Sequence, residues 1–153
     1  MRTTLLLALI LLAACGDDPN ESKPAYSMDG AWTLHDSLAG VINVSGDPTP
    51  LAFMCKGSTT ATLEDVSGTI SGTRSGILDC EIDGFTDAWV DFEGALDGTR
   101  SGKAVSMAED FGWACTYTGT MKSEKAVSGT MQCSYSGEDG TLTGTGTWKG
   151  THS

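Results

Sequence analysis

Four acidic side chains, Asp79, Glu81, Asp83 and Asp87, stand around Gly84 in the stretch Asp79-Cys80-Glu81-Ile82-Asp83-Gly84-Phe85-Thr86-Asp87. Alternate carboxylates running into a glycine turn have the spacing with which a twelve-residue calcium loop wraps its ion in oxygen ligands. The last position of such a loop, where a bidentate glutamate closes the shell, is Val90. The same residues also read as a strand, with Leu78, Cys80 and Ile82 inward, the acids outward and Asp83-Gly84 opening a turn. Asp91 and Glu93 continue that outer face. A solvated acidic face is the expected reading, the four acids remain a weak calcium candidate, and no other metal site is expected.

His35, Asp36 and Ser37 are three residue types of a hydrolytic triad, but neighbours on a strand face opposite ways and a triad needs convergent geometry. His152 lies one residue from the end and is expected to fray. No Gly-x-Ser-x-Gly elbow occurs, and among the plentiful carboxylates no pair is singled out for glycoside hydrolysis. The chain is therefore expected not to be an enzyme and to need no cofactor. Arg74 and Arg100 occupy equivalent places in two copies of Gly-Thr-Arg-Ser-Gly, at 72–76 and 98–102. They could grip an anion or a partner's carboxylate. The expected reading is that both are solvated turn residues.

These groups sit in a chain of 153 residues with 20 acidic and 9 basic side chains and a formal net charge of −11. The length suits one domain. An acidic balance without a basic patch argues against nucleic acid as a partner, because that binding rests on Lys and Arg neutralising phosphates. Glycine and threonine lead the composition at 20 each, while proline appears only four times, which does not describe a proline-rich disordered chain.

At the N-terminus Arg2 precedes the apolar run from Leu5 to Leu12, and Ala13-Ala14-Cys15 follows. A basic start, an apolar stretch and small residues before a cut describe a secretory signal, too short to be a membrane-spanning helix. The tetrad Leu12-Ala13-Ala14-Cys15 resembles the lipobox of bacterial lipoproteins. The resemblance implies cleavage after Ala14 and a diacylglycerol on the Cys15 thiol, so 1–14 is read as a lipoprotein signal peptide. Acyl chains contribute about 0.8 kcal/mol per buried CH₂ and hold a soluble domain firmly when two or three are present. The polar segment 15–27 then reads as the lipidated cysteine and a flexible tether. Gly16, rather than an aspartate, follows the cysteine; by resemblance to Gram-negative sorting this implies the outer membrane.

The remainder, 28–153, is read as a single domain. It shows no amphipathic helix, and a pattern of apolar-x-Gly-x-apolar recurs at Val66–Ile70, Phe92–Leu96, Tyr117–Met121 and Val127–Met131. Period two places Trp113, Cys115, Tyr117, Gly119 and Met121 on one face and the intervening threonines on the other. It does the same for Val127, Gly129, Met131, Cys133 and Tyr135, and for Leu142, Gly144, Gly146 and Trp148. If 122–126 turns, Met121 meets Val127, Tyr117 meets Met131, and Cys115 falls opposite Cys133, within disulfide reach. An Asp139-Gly140 turn predicts Gly137 opposite Leu142, Tyr135 opposite Gly144 and Met131 opposite Trp148.

Further strands are expected near 30–36, 39–44, 51–63, 66–72, 77–83, 88–96 and 103–109. The predicted class is all-β: an antiparallel up-and-down meander closing as a small β-barrel of 8–10 strands, or alternatively a β-sandwich. Gly30-Ala31-Trp32 resembles the Gly-x-Trp opening of lipocalin-like barrels, in which the tryptophan closes the barrel floor. The Thr/Gly strands at the C-terminus are similar to those of avidin-like barrels.

Four body cysteines in an exported chain without Cys-x-x-Cys point to disulfides rather than zinc. The register selects Cys115–Cys133 and leaves Cys55–Cys80. The leading functional expectation is a lipid-anchored envelope protein with a binding or accessory domain. Its interior, lined by Trp32, Trp113, Tyr117, Tyr135 and Trp148, would either hold a small apolar ligand or be filled as a closed core. The alternatives are a structural envelope component and a periplasmic inhibitor of a lysozyme-like enzyme. For the latter, Phe53-Met54-Cys55-Lys56-Gly57 and Trp148-Lys149-Gly150 are faintly similar to strand motifs of disulfide-bonded inhibitor lipoproteins. Expected partners are thus the membrane, through the lipid, and a small apolar ligand or a protein.

Overall fold

The computed structural model describes residues 26–153; the signal segment 1–14, Cys15 and the tether up to Pro24-Ala25 lie outside the described residues. Eight strands follow one another: β1 Gly30–Val44, β2 Leu51–Val66, β3 Thr69–Ile82, β4 Phe85–Ser101, β5 Ala104–Asp110, β6 Ala114–Ser123, β7 Ala126–Gly137 and β8 Gly140–His152. Each pairs antiparallel with the next, and β8 returns to β1, so the meander closes as a barrel. Closure removes the free sheet edges that a sandwich would keep. The ten expected segments become eight because 30–36 joins 39–44 in β1 and 66–72 joins 77–83 in β3.

Alternation builds the core. Inward-facing residues such as Trp32, Leu34 and Leu38 of β1, Leu78 of β3, Phe92 and Leu96 of β4, and Trp148 of β8 are all at most 1% exposed. The threonines between them on β6 and β8 face out. Large rings are admitted by glycines on the facing strand. Gly119 pairs with Gly129, and a Cβ on Gly119 would lie 2.7 Å from Cζ2 of Trp148.

The β6–β7 register is the expected one, with Cys115 opposite Cys133, and that disulfide is formed, as is Cys55–Cys80 between paired residues of β2 and β3. The β7–β8 register differs by two residues. Glu138 and Asp139 form the turn between Gly137 and Gly140, so Tyr135 meets Leu142, Cys133 meets Gly144 and Gly129 meets Trp148. A shift of two preserves every face, which is why the inward set on β8 still holds.

The chain enters at one end of the barrel, shared by the turns at 67–68, 102–103 and 124–125. Met28 is fully buried there and Trp32 lies beneath it, its Nε1 donating to the Met28 carbonyl at 2.9 Å. Trp32 thus closes this end, in keeping with its Gly-x-Trp setting. His152 is not frayed: it belongs to β8, packs edge-on against Trp32 with ring centroids 5.1 Å apart, and pairs through Nε2 with the Asp29 carbonyl at 3.1 Å. The far end carries the turns at 45–50, 83–84, 111–113 and 138–139.

Candidate functional site

The middle of the barrel holds charge. By alternation, β1 sends Asp36 inward between Leu34 and Leu38, β3 sends Arg74 between Gly72 and Gly76, and β5 sends Glu109 in line with Met107. Arg74 is therefore no solvated turn residue; it is 2% exposed and lies mid-strand. Its Nη2 donates to Asp36 Oδ2, and its Nη1 donates to Glu109 Oε1 at 2.7 Å and to the Tyr117 hydroxyl at 2.6 Å. Nε donates to Thr59 Oγ1 at 2.8 Å. The Tyr117 hydroxyl donates in turn to Glu109 Oε1. The guanidinium stacks on Phe92, with Cζ 4.2 Å from the ring centroid. Six strands are tied together by this one arginine.

Electrostatically the set has one carboxyl too many for one guanidinium. Burial pushes the Asp36 carboxyl above its ordinary range, and the charge and hydrogen bond of Arg74 do not fully reverse that. Glu109 is raised for the same reason, with repulsion from Asp36 added. Burial likewise drives the Tyr117 hydroxyl well above its usual value, so it stays a donor. Arg74 loses from burial but gains more from Tyr117, Asp36 and Glu109, and remains charged. Asp36 Oδ1 is buried without a hydrogen-bond partner among the described residues, a setting that favours the neutral acid.

The second arginine of the repeated pentapeptide is not equivalent to the first. Arg100 closes β4 at the entry end and forms an ion pair with Asp65, Nη2 to Oδ1 at 3.3 Å, while Asp65 also accepts from the Met28 and Gly68 amides. Burial works against the Asp65 carboxylate, yet these bonds and the Arg100 charge hold it below its ordinary value. Both arginines do grip carboxylates, but those of their own chain.

Of the aromatic residues expected to line the interior, Trp32, Tyr117 and Trp148 are each 1% exposed and packed into the core. Trp113 is half-buried at the far mouth, its ring 6.1 Å from Phe53 and from Phe111. Tyr135 keeps the inward parity of β7, opposite the buried Leu142, but it stands at the far rim and is 38% exposed, so it does not join the packed core. Arg74 and its partners occupy the centre between these rings. A cavity of about 90 Å³ lies at the far mouth, walled by Phe53, Ile82, Val90, Trp113 and the Cys55–Cys80 disulfide.

Asp79, Glu81 and Asp87 point outward from β3 and β4, and Asp83 takes a left-handed conformation (φ 49°) at the turn. Among the described residues no three His, Cys, Asp or Glu side chains converge as a metal site. His35 faces out and pairs through Nδ1 with Ser58 Oγ at 2.6 Å, while Asp36 points into the barrel, so His35, Asp36 and Ser37 do not converge. Sequence reasoning put Tyr117 inside but missed its charged partners, although strict alternation on β1, β3 and β5 would have placed Asp36, Arg74 and Glu109 on the inner face as well.

Fold and site together define a small all-β barrel stapled by two disulfides and filled at its centre by an arginine–carboxylate cluster. No family model and no curated protein matches the chain. Among solved structures, it is similar to the S-type phycobiliprotein lyase of Guillardia theta, with a TM-score of 0.45 and 6% identity over 82% of this chain and 88% of that one.

Proposed function

We propose that the chain is a bacterial envelope lipoprotein, anchored through a lipid on Cys15 at the outer membrane, whose barrel is a non-catalytic binding or accessory domain acting through its outer surface. The observation that carries this reading is the Arg74 cluster, which occupies the middle of the barrel where a ligand-holding barrel keeps open space. Two disulfides suit an oxidising compartment. The barrel is entered at Met28, so a tether on Cys15 would leave the far end turned away from the lipid. A periplasmic inhibitor of a basic, lysozyme-like enzyme is the second reading, favoured by the acidic outer wall of β3 and β4.

Expression of the full chain in a Gram-negative host, followed by intact and native mass spectrometry of the membrane fraction, tests the proposal. The expected product begins at Cys15, carries a diacylglycerol and an acyl group, and shows the same mass natively as denatured. A protein without lipid, or one holding a discrete small molecule, overturns the corresponding half. A lysozyme inhibition assay on the same sample decides the second reading.

A further inference from the structure

The wall formed by β2, β3 and β4 near the far end displays apolar side chains that the barrel itself does not use. Phe85 is 77% exposed, Trp89 68%, Ile77 53% and Met54 47%. Strand register interleaves them with acids: Trp89 stands opposite Asp79, Met54 opposite Glu81, and Ile77 opposite Asp91. Asp87 and Glu93 continue the outward row on β4, and both are exposed. Among the described residues Lys56, opposite Asp79, is the one cation in this sector. Two hollows border the patch. One of about 220 Å³ opens between Met54, Lys56, Asp79, Glu81 and Thr86; the other is the mouth cavity, which Trp89 also lines.

A contiguous group of exposed aromatic and aliphatic side chains on a soluble domain marks a surface that is covered in use. Aromatic residues at the centre with charge around them are the usual anatomy of a protein interface. We propose that this sector is a docking surface for a cationic protein, which seats a bulky apolar side chain beside Trp89 and sets lysine or arginine against Asp79, Glu81, Asp87 and Asp91. Charge decides between the occupants such a patch could take. A second copy would bring the same acids face to face and be repelled. An anionic lipid surface would be repelled in the same way. A cationic protein is attracted, steered to the site from a distance and discriminated from neutral partners. This inference rests on the reading of the barrel as a domain that acts through its surface.

The test uses the full chain, purified from membranes in a non-ionic detergent, and two synthetic probes: a peptide of Lys-Lys-Trp repeats and its Lys-Lys-Ala counterpart. Calorimetry at near-physiological salt is expected to show saturable binding of the tryptophan peptide and binding about tenfold weaker for the alanine peptide. The double variants Asp79→Asn/Glu81→Gln and Phe85→Ser/Trp89→Ser are each expected to lose about tenfold in affinity. All four positions face out, and intact disulfide mass together with far-UV circular dichroism verifies that the variants fold. Absence of saturable binding, equal binding of both peptides, wild-type binding by either variant, or preferential binding to phosphatidylglycerol vesicles overturns the proposal. A small molecule retained in the native mass instead overturns the reading of a filled, surface-acting barrel, and leaves the peptide result to be judged separately.

Discussion

Arg74 is tolerated inside so narrow a barrel because each of its three nitrogens donates to an acceptor, and the consequences of disturbing it are lopsided. Truncation to alanine strands Asp36 and Glu109 without a counter-charge. Breaking a buried pair from one side costs about 3–5 kcal/mol, and a urea midpoint lowered to match is the expected outcome for Arg74→Ala. The carboxyls make the cluster sensitive to pH in a definite direction. Because Asp36 and Glu109 are raised by burial, the folded state binds their protons more tightly than the unfolded chain does. Their contribution to stability is full below their unfolded values, about pH 4, and drains away as pH rises through the folded ones. Glu109→Gln has no proton to lose, so its stability relative to wild type should improve as pH rises from about 4, the unfolded value, towards neutrality. A difference that stays constant over that range would show that Glu109 titrates normally. Asp65 works the other way, since its carboxyl is lowered. Asp65→Asn should therefore cost most near neutral pH and progressively less as acid protonates the wild-type group below its unfolded value.

Strands and turns were legible wherever side chains alternate cleanly. The inward faces of β6 and β8 follow from period two, because one face is buried and a single-residue slip would expose the whole apolar set, while the Cys115–Cys133 register needed the 122–126 turn as well. The Gly-Thr-Arg-Ser-Gly copies misled for a physical reason. Glycines that let backbones and rings approach across a strongly coiled wall look, in sequence, like glycines that make turns. In β3 the first copy runs straight through mid-strand, whereas the second ends β4 at Gly102, a true turn glycine with φ 58°. Placing 72–76 in a turn cut β3 in two and put Arg74 in solvent. The elements thus depend on cross-strand fit more than on local propensity. Gly119→Ala drives a methyl into Trp148, and overpacking of this kind should cost about 1–3 kcal/mol with a change in the near-UV spectrum of that tryptophan. The disulfides close loops with sequence separations of 25 and 18 residues. Replacing either pair by alanine should lower stability by about 3 kcal/mol, as read from urea midpoints of the two double variants.

Taken as a whole, the barrel is polarised along its axis. The described cations Arg100, Lys103, Lys122, Lys125 and Lys149 gather at or towards the entry end, where Asp29, Glu64, Asp65, Asp97 and Glu124 balance them and Lys103 lies over the Tyr26 ring with Nζ 4.9 Å from its centroid. Asp47, Asp79, Glu81, Asp83, Asp87, Asp110, Glu138 and Asp139 gather at or towards the far end. No run of like charge shows this in the sequence, because residues of one end are dealt out strand by strand along the chain. A chain tethered through a lipid on Cys15 would enter the barrel at this charge-balanced end, with the acidic far end turned away, so anchoring and charge would act together. Anionic headgroups repel the acids of the far end more than the balanced charges of the entry end. The consequence of such anchoring would be an orientation in which Trp89 stays in water. Iodide reaches an exposed indole and not a covered one; Trp32 and Trp148 are buried in any orientation, and Trp113 is half-buried at the same far end as Trp89, which is the most exposed of the four. Quenching of the lipidated protein should therefore remain nearly unchanged when it is moved from detergent into vesicles containing phosphatidylglycerol, and it should fall sharply in both settings for Trp89→Phe. Protection of Trp89 by vesicles would instead mean that the β3–β4 wall lies against the bilayer, and would count against both the orientation and a cationic protein as the occupant of that wall.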